Sequence, residues 1–469
     1  MRKNRRTDEK LSLRLGTLVP TQGFTQSLTR SLTSRVTSTA DFDPLSLNPI
    51  IAFEAEKSML AAGGGDAGNL DLVATLENRV SGGPNATQTT ASYQPRAHVP
   101  VGDGHLYIPN VSGNYAEGPS VTIGANETWE GEVDMVITSF GNFIRPMGGN
   151  TGGWPSGFGV IFYSGGQVKC FCDGKTTGYI SSGVVLGTQF NVKYGYDGSA
   201  LYVDINDSRI DTSTTTFSAI TETLQLAQQN ALAAAGEFSI QKAKLTVGSS
   251  VVFDCDFSSS NIGHGDTSFQ AAVGGTVTIN TSGNDPATIV RRNFLRFDGA
   301  DNFMTGAFNE SNTTGGYMFA VFSVNGNGGE QSSRVFSINS SNIFEKDFNN
   351  IRSFIFSLKY SGTNDLAFYY NSVWRGIHAD AWDASNGVIL HEIKAVDGNQ
   401  ISKINNADPQ TNSQDLSALS SEQFNIGHDA NGASNPAIDI EALYLFDETL
   451  TDDEAKQVRD HLNAKSSIY

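Results

Sequence analysis

From Trp129 the chain alternates. Trp129, Gly131, Val133 and Met135 fall on one side, Glu130, Glu132 and Asp134 on the other. That two-residue period predicts a strand with one buried face. Comparable short runs recur at 48–55, 158–163, 168–172, 190–196, 201–205, 294–297, 317–324, 333–338, 351–360 and 366–370, separated by Gly-, Asn- and Asp-rich turns. Residues 221–235 predict a helix, stopped by Gly236. A second helix is predicted at the end of the chain. Thr451 is its N-cap, with Glu454 three residues on completing a capping box. Asp452 and Asp453 stand in the first turn, where the helix dipole favours anions, and Ala455, Val458 and Leu462 form an apolar stripe. Many short strands spaced 8–15 residues apart make a sandwich or jelly roll.

The pattern occurs twice. Phe190 to Asp207 reads as strand, Asp197-Gly198 turn, strand and polar turn, and His391 to Asn406 repeats this around Asp397-Gly398. Glu237-Phe238-Ser239-Ile240 leads to Val251 to Phe257; Gln423-Phe424-Asn425-Ile426 leads to Ile438 to Phe446. A repeat of this length predicts two tandem β domains of one type. The expected division is a basic arm at 1–44, a first domain at 45–257, a linker at 258–265 and a second domain at 266–469, opening with Gly274 to Ile279.

Composition agrees. The 469 residues include 49 Gly and 13 Pro, and only 17% are charged, which suits turn-rich sheets. No apolar run approaches the ~18 residues of a membrane span. Cys170, Cys172 and Cys255 form no framework and are expected as buried free thiols. Charge changes the picture more. Residues 1–40 carry eight of the 31 basic side chains and two of the 49 acidic ones. The acidic remainder repels nucleic acid and anionic membranes, so neither is an expected partner. The arm has no apolar core of a secretion signal and suits an acidic partner. Arg2, Lys3, Arg5, Arg6 and Arg14 supply charge, while Leu11, Leu13 and Leu15 alternate as a strand added to another chain's sheet edge does.

Several segments resemble the concanavalin A-like lectin/glucanase superfamily, in its laminin-G-like jelly rolls. They are Arg296-Phe297-Asp298-Gly299-Ala300-Asp301-Asn302-Phe303, the hairpin at Ile393 to Gly398, Phe424-Asn425-Ile426-Gly427, and Ile438 to Glu454 with its returning strand and Leu-Thr-x-x-Glu helix start. The segment from Asn85 to Pro95 resembles this family as found in phage virion proteins. The resemblance implies an all-β fold of two tandem laminin-G-like jelly rolls with an extended arm and a short C-terminal helix. It implies a virion protein on the particle exterior (head decoration, fibre or tail appendage), homo-oligomeric and held to other virion proteins through residues 1–44. Glycan or host-surface adhesion is then the expected task.

Candidate chemistry is sparse. The superfamily's glucanases resemble Glu-x-Asp-x-Glu, with two carboxylates flanking the scissile bond. Here Glu132-Val133-Asp134 is followed by Val136 and Ile137 where the last acid belongs, so no enzyme is expected. A polysaccharide-cleaving glucanase relative and a purely structural capsid cement protein are the alternatives. His378, Asp380, Trp382 and Asp383 can hold a cation or stack a sugar on Trp382, or form an ordinary surface loop. Trp154, within Gly152-Gly153-Trp154-Pro155, is a second candidate glycan platform, with core packing or a subunit contact as the alternatives. Asp298, Asp301 and Asn302 can offer oxygens to Ca²⁺, the one cofactor considered, or simply build a turn.

Overall fold

The computed structural model describes residues 42–150, 156–227, 236–307, 315–326, 334–339, 354–359, 364–370, 373–396, 399–412, 423–427, 435–447 and 450–468. The arm residues Arg2, Lys3, Arg5, Arg6, Arg14, Leu11, Leu13 and Leu15, the candidate Trp154 and the Asp397-Gly398 turn lie outside them. Within the described residues the chain is a set of antiparallel sheets, with one short helix at Ala55–Ser58 and another at Asp452–Ser466. The sheets pack face to face as two sandwiches, the all-β jelly-roll class expected.

In the first sandwich one sheet runs Ser208–Thr214, Ala200–Ile205, Gln189–Tyr196, Trp129–Ser139, Glu237–Val247, His105–Ile108, Thr288–Val290, with Ser250–Asp256 also beside Glu237–Val247. Its partner sheet includes Gln167–Cys172, Phe158–Tyr163, Met147–Asn150, Ile220–Leu226, Tyr115–Ile123, Thr276–Asn280 and Ser268–Gln270. In the second, one sheet runs Gln410–Asn412, Asn399–Ile404, Val388–Val396, Gly315–Val324, Ala437–Phe446, Phe294–Asp298, Arg96–His98, with Ile51–Glu54 beside Ala437–Phe446. The partner sheet contains Val73–Leu76, Ala86–Thr87, Met304–Ala307, Gln423–Ile426, Arg334–Asn339 and Phe354–Lys359 in that order.

The two lead sheets match strand for strand, and the hairpin at 189–205 holds the place that 388–404 holds in the other. The expected boundaries need correction. Strands at 51–98 join the second sandwich, whereas 268–290 join the first, so 258–265 does not divide the sheets. The first sandwich is continuous over 105–290 and sits inside the second, built from 51–98 and 294–446. In strand order the second is the first with its closing strands moved to the front. Ile51–Glu54 fills the place of Ser250–Asp256, and Arg96–His98 that of Thr288–Val290. The sequence pairing of 237–240 with 423–426 is corrected too. Glu237–Val247 corresponds to the returning strand Ala437–Phe446, and Gln423–Ile426 to Ile220–Leu226.

The predicted helix at 221–235 is a strand through Leu226; residues 228–235 lie outside the described set. Leu224 and Leu226 reach the core at strand spacing, and the segment pairs on both sides, with Tyr115–Ile123 and Met147–Asn150. Tertiary pairing overrides local preference there. Elsewhere the alternation holds. Trp129, Val133 and Met135 are buried, and Trp129 packs edge-on to Phe158 and Tyr194 at 5.4 and 5.9 Å. A Cβ on Gly131 would lie 2.5 Å from the Tyr194 ring, so glycine is needed for that contact. All three cysteines are buried free thiols, and burial pushes Cys172 and Cys255 up to about 12.

The C-terminal helix is capped as expected: Thr451 Oγ1 accepts from Glu454 N (3.3 Å), and Thr451 N donates to Glu454 Oε2 (2.8 Å). Ala455, Val458 and Leu462 seat it on Phe319, Val321, Leu390 and Tyr444, the outer face of the second sandwich. On the matching strand of the first sandwich that face carries Glu130, Glu132 and Asp134, and no helix covers it among the described residues.

Candidate functional site

The chain enters the first sandwich at 99–104 and leaves it at 291–293. Arg96–His98 pairs with Phe294–Asp298, and His105–Ile108 with Thr288–Val290, so the two crossings lie side by side. Leu70, Tyr107, Val290 and Phe294 form a small apolar cluster across the junction.

The register places Arg96 directly opposite Arg296. Like charges in that position destabilise a strand pair. Acids from both sandwiches offset them. Arg296 Nε and Nη2 donate to the two oxygens of Asp439, both at 2.7 Å, and Nη1 donates to Asp285 Oδ1 at 2.8 Å. Burial alone would lower the Arg296 pKa; Asp439 and Asp285 raise it instead. Arg96 pairs with Glu237, which also accepts from Thr138 Oγ1 at 3.1 Å. The buried Tyr107 hydroxyl lies 2.9 Å from Glu237 and 3.1 Å from Asp285, linking the two groups. The chain Asp439–Arg296–Asp285–Tyr107–Glu237–Arg96 therefore spans both sandwiches.

Three histidines line the inner side of this junction. His98 stacks on Phe294 with ring centroids 4.6 Å apart. Val101 N donates to His105 Nδ1 (3.0 Å), and Arg291 N to His264 Nδ1 (3.2 Å). Burial pushes His105 down to about 3; burial and neighbouring arginines hold His98 and His264 well below the usual imidazole range.

Beside the network a cavity of 520 Å³ opens between the sandwiches, which suits a small-molecule pocket (~300–1,000 Å³, often at a domain interface). Arg96, Glu237, Asp285, Arg296 and Asp298 line it together with the amides of Asn110 and Asn284, and Leu72 and Val111 add apolar surface. Arg96 uses one Nη on Glu237, and Asp298 one oxygen on Ala300 N. The other Arg96 N–H groups, the second Asp298 oxygen and the side chains of Asn110 and Asn284 make no hydrogen bond among the described residues. The first sandwich supplies the two asparagines, the second Arg96 and Asp298.

The candidates from sequence are scattered. Trp382 is buried at 1% exposure, packed against Phe322 at 5.8 Å, so it offers no platform for a sugar. Reading the segment around His378, Asp380, Trp382 and Asp383 as a surface loop missed that its one aromatic turns inward. His378 is buried and meets Ser402 Oγ at 2.9 Å. Asp383 caps a 3-10 turn by accepting from Ser385 N at 2.8 Å; Asp380 is exposed. Asp298, Asp301 and Asn302 are held as a turn. Asn302 Oδ1 accepts from Asp298 N (3.0 Å) and its Nδ2 donates to Gln94 O (3.2 Å). Burial and Asp298 raise the Asp301 pKa, as two facing carboxylates do. Ca²⁺ takes six to eight oxygens, and the described residues gather no trio of metal-ligating His, Cys, Asp or Glu, so this turn fits the ion poorly. Only Asp298 and Asn302 of these candidates reach the cavity. Sequence reading passed over Arg96, Glu237, Asp285, Asn110 and Asn284. One signal was legible: Arg296 and Asp439 interrupt otherwise apolar strands, Phe-Leu-Arg-Phe and Ile-Asp-Ile.

On the outer sheet face, Tyr202 donates to Glu130 (2.6 Å), and Asn191 Nδ2 donates to Glu132 (3.2 Å) and Asp134 (2.7 Å). Lys193 lies 3.6 Å from Glu132.

No protein-family model and no curated protein matches the chain. Among solved structures, domains LG4-5 of the mouse laminin alpha1 chain align over 74% of this chain and 88% of theirs, at 10% identity and TM-score 0.29. The exoplasmic/lumenal domain of VIP36, in its Ca²⁺/Man3GlcNAc-bound form, aligns over 35% and 84% at 10% identity and TM-score 0.24. Alginate lyase AlgAT5 of polysaccharide lyase family 7 aligns over 42% and 94% at 11% identity and TM-score 0.21.

Proposed function

We propose that the chain is a non-enzymatic phage virion protein. Residues 1–44 hold it to other virion proteins on the particle exterior, and the paired sandwiches present a surface for glycan or host-surface adhesion. The observation that carries this reading is the contrast between a basic arm and an acidic body built as one braced unit. Two adjacent crossings and a buried ion-pair network join the sandwiches, which suits a display module better than a hinged enzyme. The carboxylates nearest to a glucanase pattern, Glu130, Glu132 and Asp134, lie on an outer sheet face and are engaged by Tyr202, Asn191 and Lys193.

Deleting residues 1–40 tests the reading. The truncated protein should remain folded and bind glycans or host cells, but no longer enter particles. Normal incorporation would overturn the arm's role. Incorporation that depends on the arm, with no adhesion by the intact protein, would favour the cement alternative. Release of reducing ends from β-glucans or host capsule, lost in Glu132→Gln, would overturn the non-enzymatic reading.

A further inference from the structure

We propose that the cavity between the sandwiches is a binding site for an uncharged oligosaccharide, formed jointly by Arg96 and Asp298 of the second sandwich and Asn110 and Asn284 of the first. This rests on the adhesion reading and places its ligand away from the sheet faces and from the loop around Trp382.

The groups that remain free decide the ligand class. A guanidinium offers donors only, a carboxylate oxygen accepts only, and each carboxamide does both. Sugar hydroxyls donate and accept at adjacent positions, so one ring can meet all four groups. Leu72, 37% exposed, and Val111 supply apolar contact for ring C–H groups. Charge narrows the class. Three acids, Glu237, Asp285 and Asp298, line the cavity against Arg96 and Arg296, and Asp439 behind them takes two donors of Arg296. Arg96 keeps N–H donors for a ligand, but its charge is already balanced by Glu237. A uronate, sialate or phosphate would enter an acid-rich pocket on a chain of net charge −18 and meet no uncommitted cation there. A neutral sugar meets no such penalty.

The site is built around a junction that already exists. Asn284 sits over the second sandwich's turns, since a Cβ on Gly299 would lie 3.1 Å from its Nδ2 and one on Gly326 2.9 Å from its Oδ1. The site thus requires both sandwiches in their observed relation.

The test is an array of neutral gluco-, manno- and galacto-oligosaccharides beside uronate- and sialate-terminated ones, followed by calorimetry on the best neutral binder. Asn110→Ala alters an exposed side chain, and Asp298→Asn keeps an acceptor for Ala300 N. Each should weaken binding by about tenfold or more, as expected for a lost hydrogen bond to a charged or well-placed group, without changing the melting temperature. Asp383→Ala, in the loop around Trp382, should leave affinity unchanged. Retention of full affinity in both Asn110→Ala and Asp298→Asn would overturn the cavity while leaving adhesion standing. Binding of uronates as tight as that of neutral sugars would overturn the charge argument. No oligosaccharide bound by the intact protein would overturn the site and the glycan part of the adhesion reading, while binding to host cells would still decide host-surface adhesion.

Discussion

Lowering the pH should weaken this protein well before its carboxylates protonate, and His105 gives the magnitude. Its ring is fully buried, Nδ1 accepts from Val101 N, and burial pushes its pKa from 6.5 to about 3. Between those values the unfolded chain binds a proton here that the native chain does not. Stability therefore falls as the pH drops through 6.5 and stops falling near 3. The loss from this residue alone is about 1 kcal/mol at pH 5.5 and about 2 kcal/mol at pH 5. His98, His264 and His391 are also held well below the usual range by burial and by neighbouring charges, so they push stability in the same direction as the pH falls. Despite burial, the Glu54 and Asp256 carboxyls are held below their usual values by their hydrogen-bond and ion-pair partners, so they add to the loss only once the pH falls into the ordinary carboxylate range and below. The assay is an NMR titration of ¹³C-labelled histidine from pH 7.5 to 5.0, with His105 assigned by its absence from His105→Asn. Asparagine keeps an acceptor for Val101 N, so this variant should fold and lose one proton's worth of pH dependence in urea unfolding. A His105 signal that titrates near 6.5 while the protein stays folded would refute the reasoning.

Other perturbations probe the junction, the core and the cap. Arg296→Met should cost about 3–5 kcal/mol in urea unfolding, because Asp439 and Asp285 lose their shared cation; adding Asp439→Leu should recover much of it, and no recovery would argue against charge as the cause. Trp382→Ala should cost ~3–5 kcal/mol, whereas exposed Asp380→Asn, which keeps a residue type that tolerates the positive φ there, should stay within ~0.5 kcal/mol; equal effects would contradict the inward Trp382. Thr451→Ala should cost about 1 kcal/mol through loss of the helix cap, read as a lower thermal midpoint. Removing Ca²⁺ with a chelator should leave the melting temperature unchanged. A calcium-induced rise that vanishes in Asp298→Asn would show that the 298–302 turn is a metal site after all.

Alternation along each strand, the Asp-Gly turns and the capping box are local properties, and from them the sequence by itself determined the all-β class, the C-terminal helix and the existence of a duplicated unit. Arg296 and Asp439, polar positions within apolar stretches, carried a further signal that the strand pattern alone did not interpret. Which strands belong to which sandwich was not local. The segments 51–98 and 250–290 carry equivalent strands, and either could complete either sheet by pattern alone. Only the folded chain shows that the first set joins the distant 294–446 and the second joins 105–247. The same exchange creates the cavity: Asn110 and Asn284 approach Arg96 and Asp298 because two crossings bind the sandwiches side by side. Trp382 shows the converse limit. A polar neighbourhood in sequence gave no sign that its ring packs on Phe322, because burial depends on the opposite sheet, and strand periodicity reports one face at a time without saying what covers it.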